Sequence, residues 1–442
     1  MKEFIGDNSV GKEIVDVVFE AAQGAVKATK EFGEDAVVNG AFGTYFKEDQ
    51  SFLTFDTVYR VFDRVPDFQK AKYASSIAGP PEYQKAVRDW LFDSANIPIN
   101  AEVIATPGGT GALSSTIKNA LNRGDTVIHP DIGWGPYKTI AKEMQNPVSY
   151  YTLFEDDHFN LESFKDTCTK VMKAQGKVLA FINDPCQNPT GYTMSDSEWN
   201  EVLTFINELS DQGPFILLLD VAYIDFNKRG DAYKSLFEKF SKMSDNVLSV
   251  IAFSVSKTMT AYGMRVGAQV LISNNEKGRR RFYHACGNTA RGVWSTVNNG
   301  GMMAFANLAL NKENKEAYLQ EKSTFINLLQ ERANIFIEEA KEVGLPIYPY
   351  HEGFFLTIRI DDHVVKNELH LKLKKHNIFF VNVYGGLRVA ICSIPKSKLK
   401  GLAKKIKDVL DTIDPDDENL ESLQEIDEEQ SNSNDTPATP SN

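Results

Sequence analysis

Lys257 closes the segment Ser254-Val-Ser256-Lys257, just past the apolar run Val247–Phe253. A lysine at the mouth of a buried strand loses its proton by desolvation and becomes a nucleophile able to form a Schiff base. Arg265 follows eight residues later in Arg265-Val-Gly267. Together with the hydroxyls of Ser254 and Ser256 it makes a group suited to a phosphate. Asp220 ends the run Ile216-Leu-Leu-Leu-Asp220. A carboxylate there is costly without a partner, and the ring N–H⁺ of a pyridine cofactor would be one. Thr106-Pro-Gly-Gly-Thr-Gly-Ala-Leu113 places Gly109 and Thr110 ahead of a helix. Free N–H groups and the positive end of the helix dipole favour an anion at such a turn.

Four further residues fit the same chemistry. Asn188, in Asn188-Pro-Thr-Gly191, can donate to a phenolate oxygen, and so can Tyr223 of Asp220-Val-Ala-Tyr223. Trp134, in Asp131-Ile-Gly-Trp-Gly-Pro-Tyr137, offers a flat ring for stacking on a planar cofactor. Arg388 opens Arg388-Val-Ala-Ile391 and suits bidentate capture of a carboxylate. Taken singly, each signal has an ordinary reading. Glycine turns precede many helices, Asn-Pro marks turns, Asp caps helices, and Trp packs in cores.

The elements that must position these residues alternate. Strands are expected at 102–106, 126–129, 178–182, 214–220, 247–253 and 265–272, with helices at 111–121, 136–144, 161–174 and 196–209. Strands separated by helices argue for βαβ units and a mostly parallel sheet covered on both faces. A helix is expected over 12–32, and a long helical tract from about Val293 to Val343. A second α/β pattern follows: strands at 354–360, 378–381 and 388–392, helices at 364–375 and 396–412. The expected division is an N-terminal segment, 1–50, joining a small domain; a large domain, 51–300; the small domain proper, 301–413; and an acidic, disordered tail, 414–442.

Composition narrows the function classes. The chain has 442 residues, 42% hydrophobic and 11% aromatic. That is enough for a sizeable core and excludes a disordered, collagen-like or disulfide-stapled chain. Ten acids and no Lys or Arg lie from Asp414 onward, so residues 1–413 carry only −2 of the net −12. There is no basic excess to bind nucleic acid. No apolar run is long enough to span a membrane, and the first residues lack the apolar core of a secretion signal. Four scattered cysteines, Cys168, Cys186, Cys286 and Cys392, support neither a disulfide framework nor a metal site. A reducing cytoplasm fits them.

The order of the signals is more specific than any one. TPGGTGAL, a Trp, NPTG, DxAY, SxSK with R-V-G, and a C-terminal Arg resemble the fold-type I pyridoxal-phosphate (PLP) enzymes, in the aspartate/aromatic aminotransferase group. The resemblance spans about Asn39 to Ser393. It implies an α/β fold with a large, mostly parallel seven-stranded sheet between helices and a smaller α/β domain. It implies pyridoxal 5′-phosphate held as an internal aldimine at Lys257. Gly109, Thr110, Ser254, Ser256 and Arg265 match the phosphate groups, Asp220 the partner of the ring nitrogen, and Tyr223 and Asn188 the donors to the ring oxygen. Trp134 matches the stacking ring. Arg388 matches the α-carboxylate arginine, and Gly43 of Ala41-Phe-Gly-Thr-Tyr45 the glycine beside the substrate.

Two matches depart from the pattern. Tyr73 stands six residues before Gly79, where the family spaces its phosphate-binding tyrosine of the neighbouring subunit by five. Aspartate-specific members carry an arginine shortly before Ser-Asn-Pro-Pro. Aligning Asn288 with that asparagine puts Tyr283 in the arginine's place, with Arg281 and Arg291 off by two and eight. Tyr283, Phe42, Tyr45, Phe354 and Phe355 therefore favour an aromatic or neutral amino acid over strict aspartate. The partners implied are an L-amino acid, a 2-oxo acid such as 2-oxoglutarate, and a second copy of the chain. Rival readings are a C–S lyase or decarboxylase on the same fold, a PLP-sensing regulator, and a nucleotide-binding protein. The last leaves Lys257, Asp220 and Arg388 unexplained.

Overall fold

The computed structural model describes residues 4–6, 9–12 and 16–414. The expected tail beyond Asp414 lies outside these residues. Seven strands form the main sheet: β1 (Ala101–Thr106), β2 (Val127–Pro130), β3 (Val148–Tyr151), β4 (Val178–Asn183), β5 (Phe215–Asp220), β6 (Val247–Ser254) and β7 (Gly267–Ile272). Their spatial order is β1-β7-β6-β5-β4-β2-β3. All neighbours run parallel except β7, which is antiparallel to both β1 and β6. This is the expected mostly parallel, seven-stranded sheet.

Apolar side chains alternate between the two faces of the sheet. In β5, Phe215, Leu217 and Leu219 join one core cluster and Ile216 and Leu218 the other. Helices cover both faces, so every residue of β4 and β5 is buried. β3 went unread in the sequence because it is an edge strand, with only Tyr151 of its four residues fully buried.

A second sheet has three antiparallel strands, β8 (Phe355–Arg359), β9 (Val381–Val383) and β10 (Gly386–Ala390), in the order β8-β10-β9. The short strand Val38–Asn39 pairs in parallel with Ile378–Phe379. Helix α1 (Val17–Phe32) starts later than expected, because the Asp16 carboxylate accepts from Val18 and Phe19 N–H and caps it.

The long helical tract is broken. Helix α2 (Glu276–Val293) ends before an irregular stretch in which Ser295 is left-handed, with φ +66°. Asn298 then caps α3 (Asn299–Leu310), and Asn311 caps α4 (Lys312–Val343). The expected C-terminal helix over 396–412 is likewise two helices, parted at Gly401, whose φ of +79° ends the first turn.

α4 is pinned through Arg332, whose side chain is fully buried. Its guanidinium donates to the carbonyls of Phe46 (3.0 Å) and Cys392 (2.9 Å) and pairs with Glu48 at 2.6 Å. One side chain thus ties three remote segments. Among the described residues no helix is long and apolar enough to cross a membrane. Arg332→Leu takes a donor from both carbonyls, leaving Cys392 only its bond from the Phe46 N–H, and takes the cation from Glu48. It should lower the unfolding free energy by about 3 kcal/mol, seen as a lower denaturant midpoint at unchanged slope.

Candidate active site

The parallel strands end on one edge of the sheet, and the predicted residues gather there. Asp220 ends β5 and is buried. Its Oδ1 accepts from the Ala222 N–H at 3.0 Å and its Oδ2 from the Tyr137 hydroxyl at 2.8 Å. Burial pushes the Asp220 carboxyl up from the usual range, and the Tyr137 and Ala222 donors oppose this. Asn183, beside Asp220 in register, donates to the Asp220 carbonyl and accepts from the Asn188 N–H. That bond fixes the loop whose Asn188 amide reaches the Tyr223 hydroxyl at 3.5 Å.

Lys257 lies in the short helix Val255–Thr258, which begins where β6 ends. Its Nζ sits between two rings, 5.5 Å from the centre of Tyr223 and 5.9 Å from that of Tyr262. Burial pulls the amine down to about 8; Asp220 opposes this, while Arg265 and Arg388 add to it. Amine and carboxylate come from adjacent strands, so sheet order itself sets them side by side.

The glycine turn and Arg265 interlock. Gly108 has φ +70°, and a Cβ there would lie 2.5 Å from the Arg265 guanidinium. A Cβ on Gly267 would meet the Gly108 backbone at 2.5 Å. Only glycine permits this approach. Arg265 donates to Ser256 Oγ (3.3 Å) and the Tyr262 carbonyl (3.1 Å). Ser254 Oγ accepts from the Ser256 N–H, and a Cβ on Gly109 would lie 3.5 Å from Ser254 Cβ. Gly109 and Thr110 lie in the first turn of the helix Gly108–Ala120. One cation, two hydroxyls and a helix N-terminus thus converge, a donor set that fits a phosphate dianion.

Arg388, in the buried strand β10, faces this group. It donates to the Ala41 carbonyl at 2.7 Å and to Asn188 Oδ1 at 3.3 Å, and its guanidinium lies 4.3 Å from the centre of the Phe355 ring. Its buried Nε has no partner, and both groups it does bond are neutral. A buried guanidinium with a spare donor is the chemistry of a carboxylate site. Gly43 lies against the same ring, since a Cβ there would be 2.8 Å from Phe355 Cζ. Trp134 packs edge-on against Tyr137 at 5.4 Å, and so stands one side chain from Asp220.

The sequence profile of the family described as aminotransferase class I and II matches residues 38–406. The chain belongs to that family. Its members are PLP-dependent transferases, and the donor sets at Arg265, Asp220 and Lys257 fit that cofactor's phosphate, ring nitrogen and aldehyde. An aminotransferase from Anaerococcus prevotii is 34% identical, with a TM-score of 0.89 over 93% of this chain and 100% of that one. An aromatic-amino-acid aminotransferase from Burkholderia pseudomallei, described as covalently bound to pyridoxal phosphate, has a TM-score of 0.75 at 19% identity over 92% of this chain and 100% of that one. The aspartate aminotransferase of Salmonella typhi is 24% identical over 70% of this chain and 77% of its own length.

Tyr73, expected to serve a neighbouring subunit, is 83% exposed. Tyr283 stands apart from the site: it packs beside the cluster around Ile104 and feels the charge of Glu102, at the opening end of β1 and so at the opposite end of the sheet from Lys257. The alignment that gave Tyr283 a role at the substrate also fails. Asn288 lies inside the continuous helix α2, where a Ser-Asn-Pro-Pro turn has no place. The chain turns instead at 294–298. Arg291 stands four residues before Ser295. It is exposed and donates to Ser295 Oγ at 2.5 Å.

Two residues went unread in the sequence. Tyr137 donates to Asp220 and Tyr262 flanks Lys257. Tyr262 had a signal, since it lies between Lys257 and Arg265. Tyr137 had only its nearness to Trp134. In the cofactor-free chain, competitive acylation read by mass spectrometry should show Lys257 reacting with a midpoint near pH 8, as its lowered value of about 8 requires. Exposed lysines should follow a midpoint near 10.4. A Lys257 profile matching theirs would mean that the amine is not desolvated.

Proposed function

We propose that the protein moves an amino group between an aromatic or neutral L-amino acid and a 2-oxo acid such as 2-oxoglutarate, with Lys257 as the lysine that binds the cofactor and shuttles the proton. The observation that carries this is the convergence of Lys257, Asp220 and Arg388 in one cleft. The bound cofactor would supply a protonated ring able to delocalise the electron pair left at the substrate's α-carbon. Every other task falls to the chain. Arg388 grips the substrate carboxylate and so sets which α-bond points at Lys257. Lys257, neutral above about pH 8, accepts the α-proton at Nζ and would return it to the carbon that was the cofactor's aldehyde. Asp220 holds the ring-nitrogen proton, and the Tyr137 donor keeps its carboxylate oriented. The Tyr223 hydroxyl, pushed up by burial, stays protonated and donates beside Asn188 to the ring oxygen. Ser254, Ser256, Arg265, Gly109 and Thr110 receive the phosphate.

Aromatic rings support the substrate preference. Phe354 and Phe355 lie 5.3 and 5.7 Å from the Tyr223 ring, and Tyr45 lies 5.7 Å from Phe354. Phe42 packs beside Ala41, whose carbonyl accepts from Arg388. The position of Arg291 favours a second reading, in which a side-chain carboxylate is also bound.

A homodimer belongs to the same proposal. Asn299 donates to the Gln69 carbonyl, which joins the segment around Tyr73 to the one after Arg291. The face they share leaves Phe68, Tyr73 and Val293 exposed by 61%, 83% and 66%. Exposed large apolar side chains of this kind suit self-association, which would carry Tyr73 and Arg291 to a neighbouring site. The N-terminal segment shares the small domain through the Val38–Ile378 pairing. Four buried thiols suit a reducing cytoplasm.

The test is an absorbance titration of the PLP-loaded protein with single amino acids and no keto acid. Conversion to the pyridoxamine form by phenylalanine or a neutral amino acid supports the reading. Release of pyruvate and ammonia without conversion moves the protein to lyase chemistry, and release of carbon dioxide to decarboxylation. Arg388→Lys keeps the charge but loses the fork, and should lower kcat/KM about a hundredfold for every amino donor. Arg291→Ala should spare phenylalanine and weaken dicarboxylates alone. Equal losses for both would remove the role of Arg291 in selecting substrates.

A further inference from the structure

Asp225 is a buried carboxylate that the chemistry above does not use. It lies two residues past Tyr223, on the loop that leaves β5. Three donors converge on it from three other elements. The Thr258 hydroxyl reaches Oδ2 at 2.6 Å and the Lys322 ammonium reaches Oδ1 at 3.0 Å. The Trp90 indole N–H bridges both oxygens at 3.1 and 3.2 Å. Lys234 adds a longer-range positive charge. Burial pushes the Asp225 carboxyl up, but Lys322, Lys234 and the Thr258 hydroxyl outweigh it and hold the group below the usual carboxylate range. It is therefore an anion inside the protein.

A buried ion pair is a poor way to add stability, because desolvating both charges offsets most of their attraction. What this pair does achieve is geometric. Thr258 immediately follows Lys257 in a helix of only four residues, too short to hold itself. Its hydroxyl is fixed by Asp225, and its carbonyl accepts from the Tyr318 hydroxyl of α4. Lys322, one turn further along α4, sets the height of Asp225. The turn bearing Lys257 is thereby clamped between the loop that follows Asp220 and carries Tyr223 and Asp225, and the long helix.

We propose that Asp225 is a positioning residue that acts through the Thr258 hydroxyl to hold Lys257 at its reacting geometry, with Lys322 keeping it in place. This rests on the reading of Lys257 as the cofactor-binding lysine. Thr258→Val removes one hydroxyl and keeps the shape, whereas Thr258→Ser restores the hydroxyl. The pair Asp225→Asn with Lys322→Met removes both buried charges together, so that neither is left unpaired.

Three quantities are read in the full chain, at a temperature where all variants are folded. These are the rate at which cofactor-free protein gains the absorbance of lysine-linked PLP, the split between kcat and KM, and the thermal midpoint. Thr258→Val should slow both linkage and kcat about tenfold or more, with KM unchanged, because small misplacements of a reacting group cost that much. Thr258→Ser should recover both to within about twofold. The charge-free pair should behave like Thr258→Val. The proposal is overturned if Thr258→Val links the cofactor at the wild-type rate, or if Thr258→Ser is as slow as Thr258→Val. A linkage that survives Lys257→Ala overturns the Lys257 reading itself, whatever the Thr258 variants do.

Discussion

The desolvation of Lys257 is the constraint on which the rest of the structure depends. An exposed lysine is protonated at neutral pH and is no nucleophile. Here burial between two tyrosine rings removes water from the amine, and Arg265 and Arg388 disfavour its positive charge further. Asp220 pulls the other way. The balance leaves the amine near neutrality at about 8. The two arginines that would bind the anionic ends of cofactor and substrate are thus the ones that ready the lysine. Binding those anions neutralises both cations, so the amine's environment changes as the cleft fills.

That balance needs rigid placement, and the fold supplies it at two levels. Sheet order sets β5 beside β6, which puts Asp220 and Lys257 on neighbouring strand ends. The glycines of the turn and of β7 then allow Arg265 to approach the first turn of a helix. Beyond the sheet, α4 acts as a brace. Its Tyr318 and Lys322 hold the Lys257 turn from one side. Its Phe325 carbonyl accepts from Tyr45, and its Arg332 binds the carbonyls of Phe46 and Cys392 on the side that carries Arg388. One helix therefore contacts both halves of the cleft, through buried polar groups whose loss nothing nearby can compensate.

Most of the sheet and most of the cleft were legible in the sequence for one reason. In a parallel α/β sheet the chemistry sits at strand ends, so each apolar run was followed at once by its reactive residue: Asp220 after β5, Lys257 after β6, Thr110 after β1. What escaped were contacts with no local signature. Tyr137 meets Asp220 across 83 positions and Lys322 meets Asp225 across 97. Neither residue looks unusual where it stands in the chain. β3 escaped because an edge strand lacks the two-sided apolar run that marked its neighbours.

The helix break after Val293 shows how one backbone feature redirects a chemical reading. Trp294-Ser-Thr-Val carries no glycine or proline, so nothing in it announced a turn. An alignment anchored on Asn288 made Tyr283 the neighbour of the substrate. Once the break is located at the left-handed Ser295, Asn288 becomes a mid-helix residue and Tyr283 moves to the far end of the sheet. Under the second reading proposed above, Arg291 would take that role from the exposed end of α2 beside Ser295. The cleft within one chain holds aromatic rings next to Arg388, while Arg291 and Tyr73 are both exposed. In that reading capture of the side chain and of the α-carboxylate can vary independently in sequence, because among the described residues no buried contact joins Arg291 to Arg388.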